Sequence, residues 1–341
     1  LATGNAVIVK PHENAILPAA ITVRTLRTVL AEHGMDPNLV TMCIPDKRET
    51  TQALVTHPAV KSVDFTGGNV FGQWLIEHCR QAQVYAELAG VNNIVIDSTD
   101  AYKPMLRNLA FTLSLYSGQM CTTSQALFVP AGGIDTEDGH KTYDEVCADL
   151  ARAIDGFLAK PEVALAVLGA VQSADTLARI ALADGGSLGK VLLASKKLDN
   201  PEFPKAQVHT PVLLACDAAD EAAYMEERFG PITFVVKVAD TAAAIALSER
   251  VIATHGALTA GIYSTRHDGR HLARQSGVVH QPDWRGVCEP VRRVFGLPRH
   301  RRQPGGQRLV FGLGLCRQPF PRGAASLPRL RLCHDLPEHS F

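Results

Sequence analysis

From its first residues the chain alternates short apolar runs with stretches whose apolar positions recur at helical spacing. Ala6-Val-Ile-Val-Lys10 reads as a buried strand. Ala15–His33 then follows a helical period and stops at Gly34, a residue suited to a helix C-terminal cap. Leu39–Ile44 and Ser62–Thr66 predict two more strands, followed by a helix over about 71–82 and a strand over Val84–Leu88. Strands that are apolar along their length and alternate with helices predict a parallel sheet covered on both faces. Residues 1–88 therefore read as part of a doubly wound, Rossmann-type nucleotide-binding domain, and the fold class as α/β.

The alternation continues from Asn92-Asn-Ile-Val-Ile-Asp97. Helices are predicted near 102–117, 141–158, 174–183 and 241–253. Strands are predicted at Gln125–Val129, Val191–Ala194, Pro211–Ala215, Ile232–Lys237 and Leu258–Tyr263. Residues 89–279 thus read as a second α/β domain, with no internal repeat. Past Val279 both periodicities vanish.

Composition sharpens that break. The 341 residues balance 34 Lys+Arg against 34 Asp+Glu, yet 280–341 hold 11 Arg, no Lys, 4 acidic residues and 8 of the 20 prolines. The tail carries seven surplus positive charges, and the residues before it carry seven negative ones, ordinary for a soluble enzyme. With 46% hydrophobic residues the chain can bury a sizeable core and is not a disordered protein. No apolar run reaches the roughly 18–20 residues a membrane span needs, and no secretory leader opens the chain. The eight cysteines are scattered without a Cys-x-x-Cys pair, which argues against a metal site or a disulfide framework and fits a reducing cytoplasm. Because the chain opens at Leu1 directly on a strand, an N-terminal segment is expected to precede it.

Four segments carry candidate chemistry, and each alone also fits a structural role. Phe65-Thr-Gly-Gly68, with Gly72 beyond it, is a strand-to-helix turn whose backbone N–H groups can receive a pyrophosphate, or a plain Gly-rich turn. Lys10-Pro-His-Glu13 lies at the carboxyl end of the first strand, where open α/β sheets bind ligands, or is a solvated loop. Glu87-Leu-Ala-Gly90 ends an apolar strand. A partly buried Glu87 would have a raised pKa and could act as general base, or it is an edge carboxylate. Gly118-Gln-Met-Cys121-Thr-Thr123 surrounds one cysteine with small and polar residues, which suits an accessible thiolate, although most lone cysteines are inert core residues.

Together, in this order, the four segments resemble the aldehyde dehydrogenase superfamily, and Glu226-Glu-Arg-Phe-Gly-Pro231 adds the family's Glu-x-Phe-Gly-Pro segment. The resemblance covers residues 1 to about 279. Gly4–Glu13 with Glu87-Leu-Ala-Gly90 is most similar to the branch that acts in phenylacetic acid degradation. The resemblance implies that Cys121 attacks an aldehyde and that Glu87 activates water to release the acid. It also implies that the Cys121 N–H helps hold the oxyanion, whose second donor, an Asn, precedes this chain. For the cofactor it implies that Lys10 and Glu13 contact the adenosine ribose, Gly67 the pyrophosphate and Glu227 the nicotinamide ribose, with Phe229 beside the nicotinamide. The carboxylate of Glu13 would repel a 2′-phosphate, favouring NAD over NADP. Ala89 departs from the family's glycine there and narrows the space near the base.

The tail departs furthest. The family continues beyond Ser276 with a strand ending in Asn and a Gly-rich loop, whereas here Val279-His-Gln-Pro-Asp-Trp-Arg-Gly286 follows. Back-translating His280–Arg285 with permitted codons and shifting the frame yields INLTGG, and the same shift gives family-like strings through Gly323. Residues 280–341 are therefore expected to be an aberrant, frameshifted segment that does not pack as a native domain. A genuine Arg-rich arm for nucleic acid or a membrane surface is the competing reading, but the Arg residues form no stripe and lack interleaved aromatics. The resulting expectation is a cytoplasmic NAD(P)-dependent aldehyde dehydrogenase fragment. It would use no metal, bind neither nucleic acid nor membrane, and derive from a homo-oligomeric parent acting on a small aldehyde of aromatic catabolism. Coenzyme A as acyl acceptor and a non-catalytic remnant are the alternatives.

Overall fold

The computed structural model describes residues 1 and 4–265. The expectations for 266–279 and for the 280–341 tail lie outside the described residues.

In the first 88 residues, strand Val7–Val9 pairs in parallel with Val40–Met42, and Ser62–Gly67 pairs in parallel with Gln83–Leu88. The expected nucleotide sheet is thus two separate parallel pairs. Helix Ile16–Glu32 ends as its sequence predicts: Gly34 takes φ +70°, and the N–H groups of Gly34 and Met35 close back on the carbonyls of Ala31 and Leu30. Helix Asn69–His78 lies so close to the last strand that a Cβ on Gly72 would stand 2.0 Å from Leu88 Cδ2. Leu75, Val63 and Cys79 form the small core beneath it.

Among the described residues, 89–265 build a six-stranded sheet in the order Ala260–Tyr263, Asn93–Ile96, Ala126–Pro130, Ile232–Val238, Val212–Asp217, Lys190–Leu193. All neighbours are parallel except the last pair. Both faces are covered, which explains why the central strands are apolar throughout. On one face Phe128, Leu214, Phe234 and Val236 pack against helices Ala174–Asp184 and Thr241–His255 and against Tyr224. On the other face Ile94, Leu127, Val129 and Val235 meet helices Tyr102–Ser114 and Tyr143–Phe157.

Local chemistry sets where these helices start. Thr142 and Glu145 form a capping box, so the helix expected over 141–158 opens at Tyr143. Helix Tyr102–Ser114 has no side-chain cap from its own N-cap residue. Instead both carboxylate oxygens of Glu137 accept from the Tyr102 N–H at 2.8 Å, delivered by the hairpin Ile134–Thr136/Gly139–Lys141. That hairpin, helix Arg48–Val55, helix Pro161–Val167 and the two-residue pair Lys197–Leu198/Val208–His209 are too short for periodicity to reveal. Among the described residues no helix is long and apolar enough to cross a membrane.

The topology gathers four loops. Residues 89–92, 118–125, 226–231 and 256–259 each lead into the amino end of one of four parallel strands that are neighbours in the sheet. The loops after Val7–Val9, Ser62–Gly67 and Gln83–Leu88 leave carboxyl ends, and the last of these runs directly into residues 89–92.

Candidate active site

The helix expected to reach residue 117 stops at Ser114 because Tyr116, Ser117 and Gly118 all take left-handed backbone angles, φ 52°, 52° and 62°. Such angles cost a residue with a side chain about 1–3 kcal/mol, so the surroundings must hold them. Ser117 is fully buried, and its hydroxyl lies 2.9 Å and 3.1 Å from the carbonyl oxygens of Gly169 and His209. Gln119 donates to the Ala170 carbonyl and accepts from the Gln172 N–H.

The chain then makes a tight turn, with the Thr123 N–H donating to the Met120 carbonyl at 3.0 Å, and presents Cys121 exposed. The Cys121 carbonyl accepts from Asn92 Nδ2 at 2.6 Å. Its N–H meets no acceptor among the described residues. Cys79, Cys147 and Cys216 are buried and Cys43 half-buried. Burial pushes the Cys147 thiol up to about 11 and that of Cys216 up to about 12. Cys121 alone of these five is in the open.

The loop carrying Glu226–Pro231 is held by Gln125 at the foot of strand Ala126–Pro130. Gln125 Nε2 donates to the carbonyls of Tyr224 (3.0 Å) and Glu226 (2.8 Å), and its Oε1 accepts from the Arg228 N–H. Glu227 is half-buried. Burial raises its carboxyl above the usual range, against the opposing pull of the Gly90 N–H and the charge of Arg179. Glu227 and Phe229 line a small cavity with Gly90, Gly118, Met120 and Thr123, the last two flanking Cys121.

The remaining expected residues lie on the first 88. Lys10 and Glu13 are exposed just past strand Val7–Val9. The neighbouring Asn14 donates to the Gln172 carbonyl at 2.5 Å, so this loop and the turn before Cys121 share Gln172 as a partner. Strand Ser62–Gly67 runs one residue past the expected end at Thr66, and a Cβ on Gly67 would lie 2.6 Å from Phe65 Cζ. Gly67 is thus fixed by packing. Gly68, the N-cap of helix Asn69–His78, faces open space and the helix has no side-chain cap, leaving its N-terminal amides for an anion such as a dinucleotide pyrophosphate. Glu87 pairs with Thr66 at the end of its strand and is exposed, which fits the edge carboxylate of the two readings and not the partly buried one: along Gln83–Leu88 exposed and half-buried residues alternate, and Glu87 falls on the outward phase. Asn92, Gln125 and Ser117 escape the sequence reading, although a buried amide at the foot of each of two apolar strands is a signal of polar clamping.

This three-layer α/β architecture with an open cysteine turn has close counterparts. The profile of the aldehyde dehydrogenase family matches residues 1–279, and the chain belongs to that family. It is 47% identical to the NAD-dependent aldehyde dehydrogenase of Burkholderia multivorans, whose crystal structure superposes with a TM-score of 0.78 over 81% of this chain and 50% of that one. It shares its fold with an NAD-dependent benzaldehyde dehydrogenase from Corynebacterium glutamicum (22% identity, TM-score 0.61, 80% of this chain and 57% of that one). It is 28% identical over 298 residues to a vanillin dehydrogenase of Pseudomonas fluorescens, covering 82% of this chain and 56% of that protein. The chain spans between 30% and 56% of the length of the curated relatives it matches.

Proposed function

We propose that this chain is the catalytic portion of an NAD-dependent aldehyde dehydrogenase, turning an aldehyde, water and the oxidised dinucleotide into a carboxylic acid, the reduced dinucleotide and a proton. The observation that carries this reading is Cys121, exposed in a turn whose carbonyl is pinned while its N–H has no partner among the described residues. The thiolate of Cys121 adds to the aldehyde carbon, and the Cys121 N–H donates to the oxygen that becomes negative. When bound, the dinucleotide supplies the hydride acceptor. The acyl group left on Cys121 Sγ is a thioester. Glu87 removes a proton from water, the oxygen bonds to the acyl carbon, and the C–S bond breaks to return the thiolate. The exposure of Glu87 gives it access to that water, and the presence of a carboxylate base favours water over coenzyme A as acceptor.

In this reading the open Gly68 and the uncapped helix behind it hold the pyrophosphate beside Gly67. Lys10 and Glu13 take the adenosine ribose and Glu227 the nicotinamide ribose, with Phe229 against the ring. Glu13 sets NAD ahead of NADP by repelling a 2′-phosphate. Residues 1–88 would form the nucleotide-binding part and 89–279 the catalytic part. The names of the vanillin and benzaldehyde relatives support an aromatic aldehyde, consistent with a place in phenylacetate catabolism. Free thiols at all five described cysteines fit the cytoplasm, and the parent protein would be a homo-oligomer.

The test incubates the chain with NAD and a panel of aromatic and aliphatic aldehydes and follows reduced dinucleotide by absorbance. Wild type and Cys147→Ala should form it, and Cys121→Ala should not. Equal loss in both variants would remove the nucleophile assignment.

A further inference from the structure

We propose that Asn92 is a positioning residue for Cys121, fixing the backbone from which the thiol projects. The proposal rests on the reading of Cys121 as nucleophile. Asn92 is 3% exposed and sits at the foot of strand Asn93–Ile96, five residue steps beyond Glu87. Its side chain makes four hydrogen bonds. Nδ2 donates to the carbonyls of Cys121 (2.6 Å) and Thr123 (3.1 Å), and Oδ1 accepts from the N–H groups of Leu258 (2.9 Å) and Thr259 (2.8 Å). A carboxamide has two N–H donors and one oxygen with two lone pairs, so every position is used. Its own backbone carbonyl accepts from the N–H groups of Gln125 and Ala126.

None of the four side-chain bonds serves the strand ladder. They join three loops: the segment leaving Glu87, the turn holding Cys121, and the segment entering strand Ala260–Tyr263. Thr259 completes the arrangement by donating from its hydroxyl to the Thr122 carbonyl at 3.2 Å. The carbonyls of residues 121, 122 and 123 are therefore all engaged, which sets ψ of Cys121 and turns the peptide's negative end into the protein. The three carbonyl oxygens of the turn are thereby tied to donors of Asn92 and Thr259 instead of being left free around a thiolate forming at Cys121. The unpartnered Cys121 N–H is left on the preceding peptide for a substrate oxygen.

The isosteric Asn92→Asp keeps the acceptor towards Leu258 and Thr259 but replaces the donor with a negative oxygen. The measurement is the iodoacetamide labelling rate of Cys121 in the full chain across pH, read by peptide mass mapping, with half-buried Cys43 as internal control. In Asn92→Asp the midpoint of the Cys121 profile should rise by about one unit, the direction a nearby like charge imposes on a thiolate. At a pH below the midpoint, labelling then falls roughly tenfold. The Cys43 profile should not move. Should this variant not fold, hydrogen exchange in the wild type decides: the Leu258 and Thr259 amides should be protected like those of the sheet.

Wild-type Cys121 labelling no faster than Cys43 would overturn the nucleophile reading beneath the proposal. Fast wild-type labelling with an unmoved profile in folded Asn92→Asp, or free exchange at Leu258 and Thr259, would overturn the role of Asn92 alone.

Discussion

A Cβ placed on Gly118 would lie 2.3 Å from the carbonyl oxygen of Gly230 and 2.7 Å from its carbonyl carbon. The turn before Cys121 and the loop after Glu227 therefore meet backbone against backbone, with no side chain between them. Both glycines have positive φ, +62° and +140°. The contact sets the spacing between the turn of Cys121, the proposed nucleophile, and Glu227, the carboxylate proposed to hold the cofactor.

Gly118→Ala should accordingly cost roughly 2–4 kcal/mol, combining left-handed strain with overpacking against an immovable backbone. Gly156→Ala is the contrasting change: Gly156 lies in helix Tyr143–Phe157 with nothing near its Cβ position, and alanine there should stabilise by about 0.5–1 kcal/mol. Urea unfolding of both variants checks the pair. A neutral Gly118→Ala would show that the two loops are not in contact.

Gln125→Leu should destabilise by about 2–4 kcal/mol, since it leaves two carbonyls and the Arg228 N–H without their partner. Gln125→Glu should do no better despite its matching shape, because a carboxylate cannot donate to the Tyr224 and Glu226 carbonyls. Both variants should weaken dinucleotide binding by freeing the loop that carries Glu227. Unfolding curves and a fluorescence titration with NAD measure the two effects separately. Unchanged affinity in a folded variant would detach this loop from the cofactor.

The strands and long helices were legible because burial on both sheet faces leaves continuous apolar runs, as in Ile232–Val238, and because long helices repeat their period several times. Boundaries were less so. Nothing in Leu115-Tyr-Ser-Gly118 announces three left-handed residues, since Ser117 is held there by groups as distant as Gly169 and His209. Of the proposed site, the small, polar neighbours of Cys121 fit the exposed position it takes, and its role came from the resemblance, while Asn92 and Gln125 were not legible. Their function lies in what they bond to, and those partners come from segments up to about 170 residues away that only the fold brings together. Glu87 shows the limit of reading burial from a strand: its segment is mostly apolar, but a pleat turns alternate residues outward, Tyr85 and Glu87 among them.

Native-state labelling with a small alkylating reagent should mark Cys121 first among the five described cysteines, with Cys43 slower. Cys79, Cys147 and Cys216 should stay unmarked until the chain is unfolded, because they are out of contact with water and burial disfavours their thiolates. Peptide mass mapping with and without urea reads this directly. Early marking of Cys147 would contradict the packing of helix Tyr143–Phe157 on the sheet.

Glu227 should make the chain less stable as pH rises. Burial lifts its folded-state carboxyl above the ordinary value, so between that value and the raised one the folded chain holds a proton that the unfolded chain has lost. Stability falls with pH wherever the folded state binds more protons. The loss therefore begins as pH passes the ordinary carboxylate value and is complete once the folded carboxyl ionises. Other carboxylates move the opposite way, Glu145 and Glu221 among them, so the effect is isolated as a difference from Glu227→Gln. That variant keeps an acceptor for the Gly90 N–H and cannot ionise. Its stability advantage over wild type should be smallest in acid, grow across the window and then level off, as urea unfolding at a series of pH values would record. A difference that is flat with pH would mean that Glu227 is ionised in the folded chain as readily as in water. In that case the half-buried setting would not be what orients it towards a ribose hydroxyl. If the slope is found, Glu227→Gln should still bind NAD more weakly than wild type, because a ribose hydroxyl donates more strongly to a carboxylate than to an amide oxygen.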